Sequence, residues 1–181
     1  MKKNFVLTMA CTAMIFASSC KNGNYSRNND QNKLTMEAST RETEPILGLG
    51  TPITANFTGK AWLHNLSGQP GYECNVYNVT FAPGTRNYWH THTIGQILLC
   101  TEGIGYYQEK GKLARRLQPG DVVNIPANAV HWHGAAPNSR FTHIGITPRV
   151  NENHTEWMGE VTNEEYSEAV KQEDTKLSKR K

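Results

Sequence analysis

The sequence predicts an all-β fold, either a sandwich or a barrel of short strands, with one short helix near the C-terminus. From residue 57 to 147 the chain alternates between β-rich runs and turn residues. No helical periodicity interrupts these runs, and the first helix signal comes only at Thr162. The length of 181 residues and the 37% hydrophobic content suit one domain with a packed core.

Glycine and proline separate the predicted strands, as at Pro83-Gly84 and Pro119-Gly120. Lys110-Gly111 falls between two such runs and predicts a tight hairpin. The predicted strands span residues 57–63, 73–81, 87–92, 96–102, 105–109, 112–117, 121–125 and 141–147. We interpret Arg86, which lies at a turn, as a surface charge.

The helix signal is a capping box, Thr162-Asn-Glu-Glu165, followed by apolar residues that share one helical face. That face, formed by Tyr166, Ala169 and Val170, would pack on the outside of the β domain. We therefore assign residues 46–160 to the β domain, and residues 161–181 to the helix and a charged tail.

The N-terminus has the layout of a bacterial export signal. Lys2 and Lys3 precede a short apolar run, and Ala17-Ser18-Ser19 leads into Cys20. Small residues before a cysteine resemble a lipobox, which implies cleavage before Cys20 and lipidation of its thiol. We expect residues 1–20 to be a lipoprotein-type signal peptide, and the mature chain to be exported and lipid-anchored at the cell envelope.

Residues 21–45 are rich in Asn, Ser, Thr and charge, so we expect a flexible tether there. The formal charge of +3 is spread along the chain, which argues against a nucleic-acid partner. In an exported protein, Cys74 and Cys100 either form a disulfide or remain two buried thiols, and their spacing is compatible with both.

Two His-x-His pairs are the candidate metal-binding residues of the sequence. His90 and His92 share a face of a strand, about 6.6 Å apart at the usual rise per residue. Gln96 has the same parity but reaches the histidines only if the chain turns at residues 93–95, where Gly95 permits a turn. His131 and His133 repeat the pattern. One such pair would be read as a polar strand end, but two favour a metal site with imidazole ligands.

The spacing around these pairs resembles the two motifs of the cupin family. The first reads Gly84-x5-His90-x-His92-x3-Gln96-x6-Gly103. The second reads Gly120-x5-Pro126-x-Asn128-x2-His131. The resemblance implies a double-stranded β-helix, or jelly-roll, barrel that binds a divalent metal through His90, His92, Gln96 and His131, often as a homodimer. The chain departs from the pattern at Gln96, usually Glu, at Asn128, usually Gly, and at Ala135, usually Asn.

A narrower resemblance connects the chain to single-domain cupins of the manganese-dependent (R)-mandelonitrile lyase type, relatives of cupins associated with carboxymuconolactone decarboxylase. It rests on the segments around His90 and His131 and on Thr142-His143. The resemblance implies manganese as the metal, with Fe, Ni or Zn as alternatives, and places His143 in the pocket. His133 is not needed as a ligand and is the candidate general base, or else a further ligand or a hydrogen-bonded wall residue.

Four neutral ligands would leave a divalent ion its full charge, which favours binding of a substrate oxygen. We therefore expect a lyase or isomerase that acts on a small molecule bearing a hydroxyl, carbonyl or carboxylate, with His133 and His143 as its catalytic residues. The alternatives are a non-enzymatic cupin that binds a small molecule or metal chelate, a cupin that opens unsaturated uronates, and an oxygen-dependent cleavage enzyme.

Overall fold

The computed structural model describes residues 44–67, 73–148 and 151–178, without the side chains of residues 174 and 177. The predicted signal peptide, nearly all of the predicted tether and the last three residues of the charged tail lie outside these ranges and stay predictions. Within the described residues, no helix has the length and apolar character needed to cross a membrane.

In the described ranges the chain forms thirteen strands and one helix. The bounds are β1 Thr51–Ile53, β2 Phe57–Thr58, β3 Ala61–Asn65, β4 Cys74–Phe81, β5 Arg86–Asn87, β6 His90–His92, β7 Gln96–Gly103, β8 Gly105–Glu109, β9 Arg115–Leu117, β10 Val122–Ile125, β11 His131–Ala135, β12 Phe141–Pro148, β13 Thr155–Trp157 and α1 Asn163–Ser178.

The strands form two sheets, and every strand pair recorded in the described residues is antiparallel. The six-stranded sheet has the order β1-β3-β4-β12-β7-β10. The seven-stranded sheet has the order β13-β6-β11-β5-β2, and β8 joins it by pairing with β11 and β9. From β6 onward the chain passes repeatedly between the two sheets, as in a jelly roll, and this confirms the predicted all-β barrel with a C-terminal helix.

The main core lies between the sheets and includes the fully buried side chains of Phe81, Leu98, Leu117 and Phe141. A second apolar cluster lies under α1, where Tyr166 and Ala169 pack with Trp132. Trp132 points to the helix side because side chains alternate along a strand. Its neighbours in β11 therefore point into the barrel, and both are histidines.

The capping box forms at the start of α1. The Glu165 amide donates to Thr162 Oγ1 at 3.1 Å, and the Thr162 amide donates to Glu165 Oε2 at 3.0 Å.

Arg86 is buried rather than on the surface, so its interpretation as a surface charge was wrong. Its guanidinium donates to the Val161 carbonyl at 2.8 and 3.0 Å and to Asn163 Oδ1 at 2.9 Å. These partners lie far along the chain and offset the cost of burying the charge.

Several strand bounds differ from the prediction. Predicted strand 57–63 divides into β2 and β3 at Gly59, whose φ of +106° departs from strand geometry. Predicted strand 87–92 divides into β5 and β6, and β1, β11 and β13 are not among the predicted strands. The Lys110-Gly111 hairpin exists, but β9 begins only at Arg115, so its loop is longer than a tight turn.

Two other features follow from backbone geometry and burial. Asn128, which stands where the cupin pattern has Gly, adopts a φ of +60°. Asn tolerates this left-handed conformation better than most residues, so the motif keeps its turn. Cys74 and Cys100 are both free thiols rather than a disulfide, and of the two only Cys100 is buried, whereas Cys74 is partly exposed.

Candidate metal centre

Three histidines from two paired strands converge inside the barrel. His90 and His92 lie on β6, His131 lies on β11, and the register places His131 opposite His90. One ring nitrogen from each histidine lies within 4.8 Å of the others. All three side chains are buried, so the group is enclosed by protein rather than spread over the surface.

Hydrogen bonds fix which nitrogen of each ring faces the centre. His90 Nδ1 lies 2.9 Å from the Tyr88 carbonyl, and His131 Nδ1 lies 2.8 Å from the Ala129 carbonyl. A carbonyl only accepts, so each Nδ1 carries the proton and donates it. His92 Nδ1 lies 3.0 Å from Thr155 Oγ1, the hydroxyl of a residue on β13. The Nε2 lone pairs of His90 and His131 are thereby left for a metal, and that of His92 is left as well when its Nδ1 donates to the Thr155 hydroxyl, an arrangement typical of ligating histidines.

Three of the candidate ligand atoms at the centre have no hydrogen-bond partner among the described residues. His92 Nε2, His131 Nε2 and Gln96 Oε1 are buried and without a hydrogen-bond partner. A buried acceptor left in this state costs about 1–3 kcal/mol. A divalent cation would satisfy these acceptors together, so the residues present fit the metal that the sequence predicts.

Burial keeps the three imidazoles neutral, which is the form that binds metal. Burial, followed by repulsion from His131, lowers the pKa of His92 to about 4, although the neighbouring Gln96 side chain opposes the shift. Burial lowers the pKa of His131 to about 4 despite its bond to the Ala129 carbonyl. Burial and the neighbouring His131 lower the pKa of His90 well below its ordinary value.

Gln96 reaches the site because the chain turns where the sequence predicted. β6 ends at His92 and β7 begins at Gln96, and the Gly95 amide between them donates to the His92 carbonyl at 3.2 Å. Gly95 has a φ of +95°, and a Cβ there would lie 2.4 Å from the Ile125 carbonyl oxygen. Asn153 fastens the turn by donating to the Gly95 carbonyl at 2.8 Å.

His133 and His143 lie beside the three histidines and contact each other edge to face, with ring centroids 4.8 Å apart. The His133 ring centroid is 5.7 Å from that of His90. Asn87 holds His133 twice, since its Nδ2 donates to Nε2 at 3.0 Å and its Oδ1 accepts from the His133 amide at 2.9 Å. Among the described residues, neither ring nitrogen of His143 has a hydrogen-bond partner, although the side chain is buried.

Burial is also the main influence on these two rings. It lowers the pKa of His143 to about 4, and it lowers that of His133 well below the ordinary value with help from the neighbouring His143. Both histidines are therefore neutral at pH 7, and each can hold or accept a proton.

The site opens into a cavity of about 320 Å³. Its polar end carries four of the histidines and Gln96, and its remaining walls are largely apolar. The lining residues are Ile53, Ala55, Asn56, Phe57, Leu63, Tyr77, Val79, Asn87, His90, His92, Gln96, His133, His143, Thr155 and Trp157.

Sequence reasoning did not find Asn87, Thr155 or the role of Trp157. Trp157 lies against His90, with ring centroids 4.6 Å apart and planes 30° from parallel. Thr155 and Trp157 share a face of β13 because they are two residues apart, and this was the available signal. A three-residue strand is too short for such a pattern to be separated from chance.

The fold and the site define a small jelly-roll barrel with a buried histidine cluster suited to a divalent metal. Residues 77–143 match the family of the Cupin domain. The (R)-mandelonitrile lyase of Granulicella tundricola is 45% identical over 89 residues, which are 49% of this chain and 68% of that protein. The chain belongs to the cupin superfamily.

Solved structures agree with this assignment. A cupin-like protein from Thermotoga maritima is 47% identical, with a TM-score of 0.66 over 70% of this chain and 97% of that one. A cupin 2 conserved barrel domain protein from Rhodopseudomonas palustris shares the fold at 17% identity, with a TM-score of 0.54 over 68% of this chain and 84% of that one.

Proposed function

We propose that this cupin is a manganese-dependent lyase that breaks a carbon–carbon bond beside a hydroxyl group in a small molecule such as a cyanohydrin. One observation carries the proposal: a set of neutral, unpartnered metal ligands lies at the end of an apolar cavity, next to two histidines that no ligand role requires. The relative from Granulicella tundricola, an (R)-mandelonitrile lyase, supports this reaction class.

The protein would hold the ion through Nε2 of the three histidines and Oε1 of Gln96. When bound, a divalent ion with four neutral ligands supplies Lewis-acid polarisation of a substrate oxygen. His90, His92 and His131 are already oriented by their Nδ1 partners, so binding requires little rearrangement of the rings.

His133 and His143 would move the proton. His133 would accept the proton of the substrate hydroxyl at Nε2, which gives up its hydrogen bond from Asn87 Nδ2, and the hydroxyl carbon becomes a carbonyl as the carbon–carbon bond breaks. The electron pair of that bond leaves with the departing carbon, which is cyanide in the case of a cyanohydrin. The proton then passes to the leaving group, so the products are a carbonyl compound and hydrogen cyanide. Asn87 orients His133 by bonding to its ring and to its backbone amide.

The cavity suits a substrate with one polar end. Phe57, Val79 and Trp157 line the cavity beside the histidines and would receive an apolar or aryl group. Phe57 and Trp157 lie with ring centroids 6.2 Å apart. Their contact would exclude water from the site once such a group is bound.

The test begins with metal content. We would purify the full-length chain without a histidine tag, measure bound metal by plasma mass spectrometry, and compare it with His92→Ala. We expect close to one ion per wild-type chain and none in the variant. Equal trace metal in both proteins, even after reloading with Mn²⁺, would contradict the proposed site.

Turnover is then measured with mandelonitrile, aliphatic cyanohydrins and hydroxy acids. His133→Gln should retain metal and lose at least about 100-fold in kcat, the usual contribution of a positioned acid or base. His154→Gln, which removes an exposed histidine, is the matched control. Metal loss in His133→Gln would contradict the catalytic role. Stoichiometric metal without turnover of any of these compounds would favour the non-enzymatic binding cupin instead.

A further inference from the structure

A chain of hydrogen bonds joins Gln96 to two residues that no metal would touch. Gln96 Nε2 donates to the hydroxyl of Tyr77, and that hydroxyl lies 3.0 Å from Thr147 Oγ1. The three residues belong to β7, β4 and β12, and β12 lies between the other two strands in the six-stranded sheet. The contacts therefore cross three adjacent strands and end at the candidate ligand.

The hydrogen bond between Gln96 and Tyr77 determines which atom of the Gln96 amide faces the metal site. Oε1 of Gln96 is a ligand, but Nε2 has two protons and no free lone pair, so only one orientation of the amide can bind a cation. In that orientation Nε2 points away from the histidines and needs an acceptor. The Tyr77 oxygen provides it, and the Tyr77 proton is free to go to Thr147 Oγ1.

We propose that Tyr77 is a positioning residue for the metal centre: its hydroxyl holds the Gln96 amide with Oε1, and not Nε2, towards the three histidines. The proposal deepens the function given above and rests on the metal site assigned there. It also connects with the departure of this chain from the cupin pattern. A Glu at this position presents an oxygen in either orientation, whereas a Gln needs a neighbour that selects one.

The backbone makes room for this tyrosine. Gly145 lies opposite Tyr77 in the register of β12 and β4. A Cβ at Gly145 would lie 2.5 Å from Tyr77 Cε2 and 2.9 Å from Cζ, which is too close for any real contact. An alanine there would push the ring away without changing its chemistry.

The test measures the Mn²⁺ affinity of the full-length chain, stripped of metal and titrated with Mn²⁺ alone against a competing chelator. Tyr77→Phe removes only the hydroxyl and should weaken Mn²⁺ binding about 10–100-fold, the usual effect of losing a contact behind a ligand. Gly145→Ala should weaken it in the same direction. Tyr166→Phe is the matched control, because it removes a buried tyrosine hydroxyl that donates to the Ala135 carbonyl at 2.7 Å.

A second pair of proteins separates orientation from packing. In a Gln96→Glu background, the further change Tyr77→Phe should alter Mn²⁺ affinity less than about threefold, since a carboxylate presents an oxygen whichever way it turns. Thermal unfolding of all the metal-free variants shows whether each is folded, and a loss of affinity counts only in variants that unfold cooperatively.

The outcomes are distinct. The proposal is supported if Tyr77→Phe weakens Mn²⁺ binding by the expected ~10–100-fold in the protein with Gln96 and by less than about threefold in the Gln96→Glu protein. Equal losses in both backgrounds would mean that Tyr77 acts by packing, and wild-type affinity in Tyr77→Phe would mean that it does not act at all; either overturns the proposal and leaves the proposed lyase standing. If the wild type itself binds no Mn²⁺, the metal site and this inference both fail.

Discussion

The metal-free protein should lose stability as the pH falls, and His143 should account for a measurable share of the loss. Burial lowers the pKa of His143 from 6.5 to about 4. In the unfolded chain the same group titrates near its ordinary value, so the unfolded state binds more protons between pH 6.5 and pH 4. Stability from this group is therefore present above pH 6.5, falls through that window, and is lost below pH 4.

The size of the effect follows from the two pKa values. At pH 5 an ordinary histidine is about 97% protonated, whereas one with a pKa of 4 is about 9% protonated. The linkage relation converts this difference to about 2 kcal/mol of lost stability from His143 alone. This is a large part of the total for a domain whose net stability is about 5–15 kcal/mol. The shifts of His92 and His131 have the same sign and add to the loss.

The assay is urea unfolding at pH 7.5 and at pH 5.0 with a chelator present, and tryptophan fluorescence monitors the unfolding. His143→Phe and His143→Gln differ in polarity, but both remove the titrating group. In each, the drop in unfolding free energy between the two pH values should be about 2 kcal/mol smaller than in the wild type. His154→Gln controls for loss of a histidine as such. If both variants at position 143 keep the full acid sensitivity of the wild type, the reasoning from burial is refuted.

Three further predictions concern metal and helix. Mn²⁺ at a hundred times its Kd should raise the unfolding free energy by about 2.7 kcal/mol in the wild type, and an equal rise in His131→Ala would count against the site. Thr155→Val removes the hydroxyl beside His92 Nδ1 and should weaken Mn²⁺ binding about tenfold or more in chelator competition. Unchanged affinity would show that this contact does not affect metal binding. Thr162→Ala breaks the capping box and should cost about 1 kcal/mol in urea unfolding with Mn²⁺ affinity unchanged; altered affinity would mean that the helix is coupled to the site.

Local sequence patterns were enough to find the histidines that converge inside the barrel. The two-residue spacing of His90 with His92 predicted that both rings share one face, and the same spacing predicted this for His131 and His133. Gly95 indicated the turn that brings Gln96 to the histidines. These predictions depend only on strand geometry and on the conformational freedom of glycine, which act between neighbouring residues.

The contacts made between distant segments could not be read in the same way. Arg86 looks like a surface charge until Val161, 75 residues later, supplies its carbonyl. Asn87 and Thr155 orient histidines, yet each lies in a strand of two or three residues that has no measurable periodicity. Nothing in a local pattern states which remote segment will cover a site, because that is settled by packing of the whole barrel.

The division of the cavity between two sheets bears on how such a protein can diversify. The three histidines that could hold a metal belong to the seven-stranded sheet, whereas Leu63 and Val79 line the cavity from β3 and β4 of the six-stranded sheet. Gln96 also lies in the six-stranded sheet, on β7, but neither Leu63 nor Val79 is a candidate ligand. Single substitutions at these two positions would therefore change the shape of the substrate cavity and leave all four candidate ligands in place.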